Sequence, residues 1–226
     1  MRLLLFDIDG TLLHVQQGAR TAVRRAVEEV TEQSVSLDGI SFSGRTDPAI
    51  FQDVLTANGL PDSSALLSDV LSAYTQTARL TIESANVTSL PGAASLVSLF
   101  ANLTDVFLGL VTGNIESIAF HKLNAVGLAD DFSIGGFGSD HANRSKLPAL
   151  AIDRASTFVG HSFSAENTVV IGDTSHDIAC AHATGARSVA VCTGRYNSRD
   201  LRTHNPDLLL ADLKDVRGIA EQLLAI

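Results

Sequence analysis

Leu3-Leu4-Leu5-Phe6-Asp7-Ile8-Asp9-Gly10-Thr11-Leu12 opens the chain with an apolar run that ends on two carboxylates one residue apart. A run of this length has the size of a buried strand, and Gly10 lets the backbone turn sharply away from it. Side chains at i and i+2 of an extended chain point the same way, so Asp7 and Asp9 emerge together at the strand's carboxyl end. Two like charges so close repel unless a cation, a proton or a ring of donors compensates them. The plain alternative is an ordinary strand followed by an Asp-rich turn, and the rest of the chain decides between the two.

Downstream, short apolar runs alternate with longer segments of helical spacing. Val106 to Val111, Thr168 to Ile171, Ser188 to Val191 and Asp207 to Leu210 read as strands, with a shorter one near Phe132 to Gly135. Helices are expected over 92–102, from about Asn114, from about Ser145, and from Ser175 to Thr184 with Gly185 as the stop. Strand-helix alternation of this kind implies a parallel sheet covered on both faces, an α/β fold. One block differs. Ala19 to Thr31 carries Val23, Ala26, Val27 and Val30 on one helical face. Asp47-Pro48 reads as N-cap and first residue of a second helix that Asn58-Gly59 closes, and Pro61-Asp62-Ser63 opens a third. Three helices with no strand between them set residues 16–89 apart as a helical insertion, a cap, in a core made of 1–15 and 90–226.

Composition narrows the partners. The 226 residues are 45% hydrophobic, which suits one sizeable core with an insertion. A formal net charge of -9 without a basic stretch argues against nucleic acid. The first apolar run is too short for a signal sequence, and no stretch approaches the length of a membrane span. Cys180 and Cys192 are the only cysteines and lack metal-ligand spacing, so a cytoplasmic protein with reduced thiols is expected, as a monomer or a homodimer.

Ligands of open parallel sheets bind beyond the carboxyl ends of the strands. Three expected strands end there in polar clusters: Asp7-Ile8-Asp9-Gly10-Thr11, Thr112-Gly113-Asn114, and Gly172-Asp173-Thr174-Ser175-His176-Asp177. These parts suit phosphoryl transfer. A carboxylate can attack phosphorus, a second acid can move the leaving-group proton, and Mg2+ favours a few carboxylates with phosphate oxygens, which Asp7, Asp173 and Asp177 can share. Thr112 and the amides of Gly113 and Asn114, at a helix start, are donors for a phosphate. Lys146 or Arg144 supplies a cation to offset the charge.

The three clusters resemble motifs one, two and four of the haloacid dehalogenase (HAD) superfamily, in the order and spacing of its phosphoglycolate phosphatase-like branch. The resemblance covers nearly the whole chain. It implies a Rossmann-like core with a helical cap between the first two motifs, and a phosphatase acting on a small phosphorylated metabolite such as phosphoglycolate. It also implies Asp7 as nucleophile and Asp9 as general acid/base. Magnesium would sit on Asp7, the Asp9 backbone carbonyl and Asp173, with Asp177 supporting or ligating, and Thr112 would bind phosphate. The third motif departs from the family pattern of a lysine before Pro-x-Pro. Here Asn143-Arg144-Ser145-Lys146-Leu147-Pro148 offers both Lys146 and Arg144, with Lys146 preferred.

The superfamily's dehalogenases lack the second aspartate, so the presence of Asp9 argues for phosphate chemistry, and for an Asp9 pKa raised by burial and neighbouring charge. A sugar phosphomutase would use the same aspartates, and a non-catalytic binding protein is the reading from another class. In the insertion, Gly44-Arg45-Thr46-Asp47 resembles a cap segment of the phosphatase branch, where Arg45 could reach a substrate anion, or it is a helix-capping loop. The seven histidines show no metal-ligand spacing, and His14 and His176 are expected at the surface or behind the site. Gly135-Gly136-Phe137-Gly138 reads as a turn, Arg195 and Arg199 as a solvated loop, although an arginine near the cleft rim could attract anions, and Cys180 as a packing residue.

Overall fold

Leu3, Leu4, Leu5 and Phe6 are all fully buried, which alternating side chains achieve only in a strand with neighbours on both edges and layers on both faces. The computed structural model, which describes residues 1–226, places them so. The strand β1 (Arg2–Phe6) lies inside a six-stranded parallel sheet with β4 (Val106–Thr112) on one edge and β6 (Thr168–Gly172) on the other. Beyond β4 lies β5 (Gly135–Phe137), and beyond β6 lie β7 (Arg187–Val191) and β8 (Leu208–Leu210). The chain moves outward from β1 to β4 and β5, then returns to the other edge of β1 for β6. The reversal puts the carboxyl ends of β4, β1 and β6 side by side, where a crevice forms.

Covering helices are α4 (Ala93–Ala101), α5 (Glu116–Ala125), α6 (Leu147–Val159), α7 (Ser175–Thr184), α8 (Ser198–Arg202) and α9 (Val216–Ala225). Gly185, at φ 82°, takes the left-handed conformation that closes α7, as its sequence position predicts. Between β1 and β4 the chain leaves through β2 (Leu13–Val15) and returns through β3 (Val87–Ser89), an antiparallel ribbon pairing Leu13 with Ser89 and Val15 with Val87. The segment between its strands carries α1 (Ala19–Thr31), α2 (Asp47–Ala57) and α3 (Ser64–Thr81) and no strand. One apolar cluster runs unbroken from Leu4 and Phe6 in the sheet to Val23, Phe51 and Val70 in this block.

Three readings are corrected. The strand expected at 132–135 lies at 135–137, on the glycines read as a turn. Tertiary packing decides this: a Cβ on Gly136 would stand 2.2 Å from the Leu147 carbonyl oxygen, so glycine is what lets the start of α6 press against the strand. The N-cap of α2 is Thr46, whose Oγ1 accepts from the Ala49 N–H at 3.3 Å, and Asp47 is the first helical residue. Arg199 belongs to α8, capped by Asn197, and not to a loop. At five residues α8 is too short to show a helical period.

A buried β1 side chain should carry stability that an exposed one does not. Leu4→Ala is expected to cost about 2–5 kcal/mol in urea denaturation. Leu80→Ala, at a position 76% exposed, should stay within about 0.5 kcal/mol of the parent.

Candidate active site

Asp7 follows β1, Asp173 follows β6, and Asp177 sits in the first turn of α7, so three separate steps of the chain deliver carboxylates to one sheet edge. All three are buried, and one oxygen from each lies within 4.8 Å of the others. Asp177 is fixed first. Its Oδ2 accepts from the Thr174 N–H at 3.0 Å and from Thr174 Oγ1 at 2.7 Å, closing a capping box on α7. Asp173 lies against two glycines, since a Cβ on Gly194 would fall 1.6 Å from its Oδ2 and one on Gly10 2.5 Å from the same atom. Gly10, at φ 86°, turns the chain there while its carbonyl accepts from Thr193 Oγ1 at 2.6 Å.

One guanidinium serves this cluster. Arg144 is buried, donates to Asp177 and stands 3.1 Å from Asp7 Oδ1. Lys146, two residues on, is exposed. The cation beside Asp7 is therefore Arg144, and the preference for Lys146 is corrected. The reason is local: Asn143 Oδ1 accepts from the Ser145 N–H at 3.0 Å and starts a short 3-10 turn over Arg144–Lys146 that turns Arg144 inward. Burial pushes Asp7 up to about 7, with Arg144 opposing and Asp177 and Asp9 adding to the rise. Burial, then Asp177 and Asp7, push Asp173 up to about 9. Three carboxylates share one positive charge, so the site has anionic oxygen ligands to offer a hard divalent cation, and Mg2+ fits that donor set.

Asp9 has a different environment. Burial favours its neutral form, but Lys122 Nζ at 2.6 Å from Oδ2 and Asn114 Nδ2 at 2.7 Å outweigh it and hold Asp9 below the usual carboxylate value. The expectation of a raised Asp9 pKa is thus corrected. Lys122 also donates to Asn114 Oδ1 at 2.6 Å, so Asp9, Asn114 and Lys122 form a closed ring of hydrogen bonds. Reading the sequence for motifs misses Lys122, which lies eight residues past Asn114 in α5. Its signal was its position: Ile118, Ala119, Lys122 and Leu123 form the buried stripe of α5, and a lysine on such a stripe needs an acid. Thr112 is fully buried, and its Oγ1 accepts from Asn114 Nδ2 at 2.8 Å and from the Asn114 N–H at 3.3 Å, which leaves its own proton free to donate.

The segment 43–47 of the helical block is fastened onto this edge. Thr46 Oγ1 donates to the Ala142 carbonyl at 2.7 Å, and the Asp47 N–H donates to the Gly113 carbonyl at 2.7 Å. A Cβ on Gly113 would meet the Arg45 carbonyl oxygen at 2.0 Å, so glycine is required for the approach. The Asp47 carboxylate accepts the Ile115 N–H at 2.8 Å, at the start of α5. Burial pushes Asp47 up to about 6, against Lys122 and this hydrogen bond. Arg45 pairs with Asp53 at 2.6 Å. The cavity so closed measures about 280 Å³ and is lined by Asp7, Asp9, Thr112, Asn114 and Arg144 below, and by Arg45 and His14 on the other side. His176 stays behind the site, with its ring against Gly44.

Comparison with known proteins agrees with this geometry. The HAD-hydrolase-like family model matches residues 143–216, the stretch that carries Arg144, Asp173 and Asp177. Over 223 residues the chain is 24% identical to the phosphoglycolate phosphatase of Pectobacterium atrosepticum, covering 96% of this chain and 91% of that protein. The chain is similar to HAD-like hydrolases. Among solved structures, the chain matches a predicted phosphoglycolate phosphatase from Haemophilus somnus at a TM-score of 0.72 and 18% identity, over 97% of this chain and 98% of that one. It matches a putative beta-phosphoglucomutase from Thermotoga maritima at 0.64 and 18%, over 98% and 99%. At these identities the structural likeness is one of fold, a Rossmann-like HAD core.

Asp47 gives a pH test of the closed loop. Its folded-state value of about 6 lies above the ordinary carboxylate value of 3.8, so the folded protein binds more protons between those limits. Stability contributed by this group therefore falls as pH rises through that window and is level above it. Asp47→Asn keeps an acceptor for Ile115 without the charge. Measured by chemical denaturation, the variant should gain about 1–3 kcal/mol on the wild type between pH 4 and pH 7.

Proposed function

We propose that the protein is a magnesium-dependent phosphatase that acts on a small phosphorylated metabolite, of phosphoglycolate-like size, through an aspartyl-phosphate on Asp7. The carrying observation is the convergence of Asp7, Asp173 and Asp177 at 4.8 Å or less, with Arg144 against Asp7. The names of the relatives, phosphoglycolate phosphatase among them, support the substrate class. In this reading 1–15 and 90–226 are the catalytic core and 16–89 the cap. No helix is long and apolar enough to cross a membrane, and both cysteines are free, which supports work in the cytoplasm.

In the first step an Asp7 oxygen bonds to phosphorus, the bond from phosphorus to the substrate oxygen breaks, and Asp9 gives that oxygen a proton. In the second, Asp9 takes a proton from water, the water oxygen bonds to phosphorus, and the Asp7 ester breaks to release phosphate. Lys122 and Asn114 hold Asp9 as the carboxylate, the form that the second step requires. A phosphate dianion brought against Asp9 raises its proton affinity, which supplies the acid form for the first. Thr112 has a free hydroxyl proton for a phosphate oxygen, the region of Gly113 and Asn114 lies beside it, and Arg144 offsets charge on Asp7. Bound Mg2+, held by Asp7, Asp173, Asp177 and the Asp9 carbonyl, would neutralise charge on the transferred group.

Phosphate release from small phosphomonoesters should vanish with EDTA and return with Mg2+. Asp7→Asn should lower it by about 10³-fold or more while the circular dichroism spectrum is unchanged. An isomerised sugar phosphate in place of free phosphate would mark a phosphomutase instead. Lys122→Met should lower kcat at least about tenfold, since Asp9 loses its main partner and its orientation, with a smaller change in KM.

A further inference from the structure

The side of the cavity that faces a substrate beyond its phosphate is built almost wholly by the ribbon and the helical block. Its six apolar lining residues, Val15, Ala19, Val23, Phe42, Ile50 and Tyr74, all come from there. Three of the four positive charges that line the cavity are already engaged. Lys122 is held by Asp9 and Asn114, Arg144 by Asp7 and Asp177, and Arg45 by Asp53 at 2.6 Å. Arg195, exposed at the lining's edge, forms no ion pair; it belongs to the core after β7 and meets the roof at Ala19, with which it also lines the adjoining groove. The one acid that the roof adds is the buried Asp47. A carboxylate held among Val23, Phe42, Ile50 and Tyr74 would leave water for apolar carbon beside the like charge of Asp47, which costs heavily without a counter-ion there.

Tyr74 shows what the roof accepts. Its side chain is 3% exposed, and its ring packs edge-on against Phe51 at 5.1 Å between centroids. Its hydroxyl has no hydrogen-bond partner in the chain, yet it is not sealed off, and Tyr74 lines the cavity. A buried phenol normally finds a partner. Arg45 likewise leaves its Nε–H unpaired, a donor that a neutral oxygen satisfies.

Resting on the phosphatase reading, we propose that the substrate is a phosphomonoester whose body is compact, uncharged and largely apolar, carrying a hydroxyl or carbonyl oxygen that pairs with the Tyr74 hydroxyl. Short carboxylated phosphates, phosphoglycolate included, are then poor substrates. A site built to pair with a substrate oxygen discriminates against the analogue that lacks it, because its own polar group is left unpaired.

The test is steady-state phosphate release, with Mg2+, from 4-hydroxybutyl phosphate, butyl phosphate and phosphoglycolate. For the wild type, kcat/KM on 4-hydroxybutyl phosphate should exceed that on phosphoglycolate at least about tenfold. Tyr74→Phe keeps the ring against Phe51. It should raise KM for 4-hydroxybutyl phosphate about fivefold or more, with kcat unchanged, and leave both constants for butyl phosphate unaltered. Phosphoglycolate as the best of the three, or an equal effect of Tyr74→Phe on both alkyl phosphates, would overturn the proposal while the phosphatase reading stands. No release from any of the three would overturn both.

Discussion

Everything in this fold that bears on function follows from the repulsion among Asp7, Asp173 and Asp177. Three buried carboxylates within 4.8 Å of one another are unstable as neighbours in low dielectric. The chain tolerates them because each is held by something that cannot easily move. Asp177 is locked by its own helix start, Asp173 rests where Gly10 and Gly194 leave room, and Asp7 leaves a central strand tied on both edges. Arg144 then bridges Asp7 and Asp177. Stability is spent here to keep a concentrated negative field aimed at a single point, as a centre that gathers a divalent cation and a phosphate requires.

Such a constraint leaves strong marks in a sequence where it acts through the sheet. Asp7 and Asp9 stand out because a strand's period of two and the glycine after them are local facts. Thr112 to Asn114 and Asp173 to Asp177 stand out because each ends an apolar run. The helical block between the ribbon strands was legible for a similar reason, three helical periods without a strand. What could not be read depended on contacts across the chain. Gly135 and Gly136 look like a turn until α6 is placed against them, and choosing Arg144 over Lys146 needs the placement of one 3-10 turn. Lys122 leaves one mark, a lysine on the apolar stripe of α5, but its acid is named only when α5 is set against the strand ends. Tyr74 leaves none, since buried aromatic residues usually serve packing, and only the cavity distinguishes it.

The two aspartates of the first strand end differ more than their spacing suggests. Asp7 lies among acids, and burial raises its proton affinity. Asp9, two residues on, lies between an ammonium and an amide that lower it. Neighbours that push a pair of carboxylates apart in pKa are how one strand end separates two chemical roles. That separation comes from α5 and not from the strand itself.

The same helix also connects the two parts of the molecule. The N–H of Ile115, the residue before it, donates to the Asp47 carboxylate of the helical block, and two turns later the helix presents Lys122 to Asp9. The block reaches the core through the backbone as well, with the Asp47 N–H on the Gly113 carbonyl and Thr46 on Ala142. A displacement of the block from the core would take the Asp47 acceptor from the Ile115 N–H, open the cavity above Thr112 and expose the ring of hydrogen bonds around Asp9 together. Closure of the cavity and the environment of Asp9 are therefore coupled through α5, by contacts that need no more than one helix to transmit them. The roof gives that coupling its chemistry: with Val23, Phe42, Ile50 and Tyr74 facing the cavity, an apolar body that fills it also packs against the block.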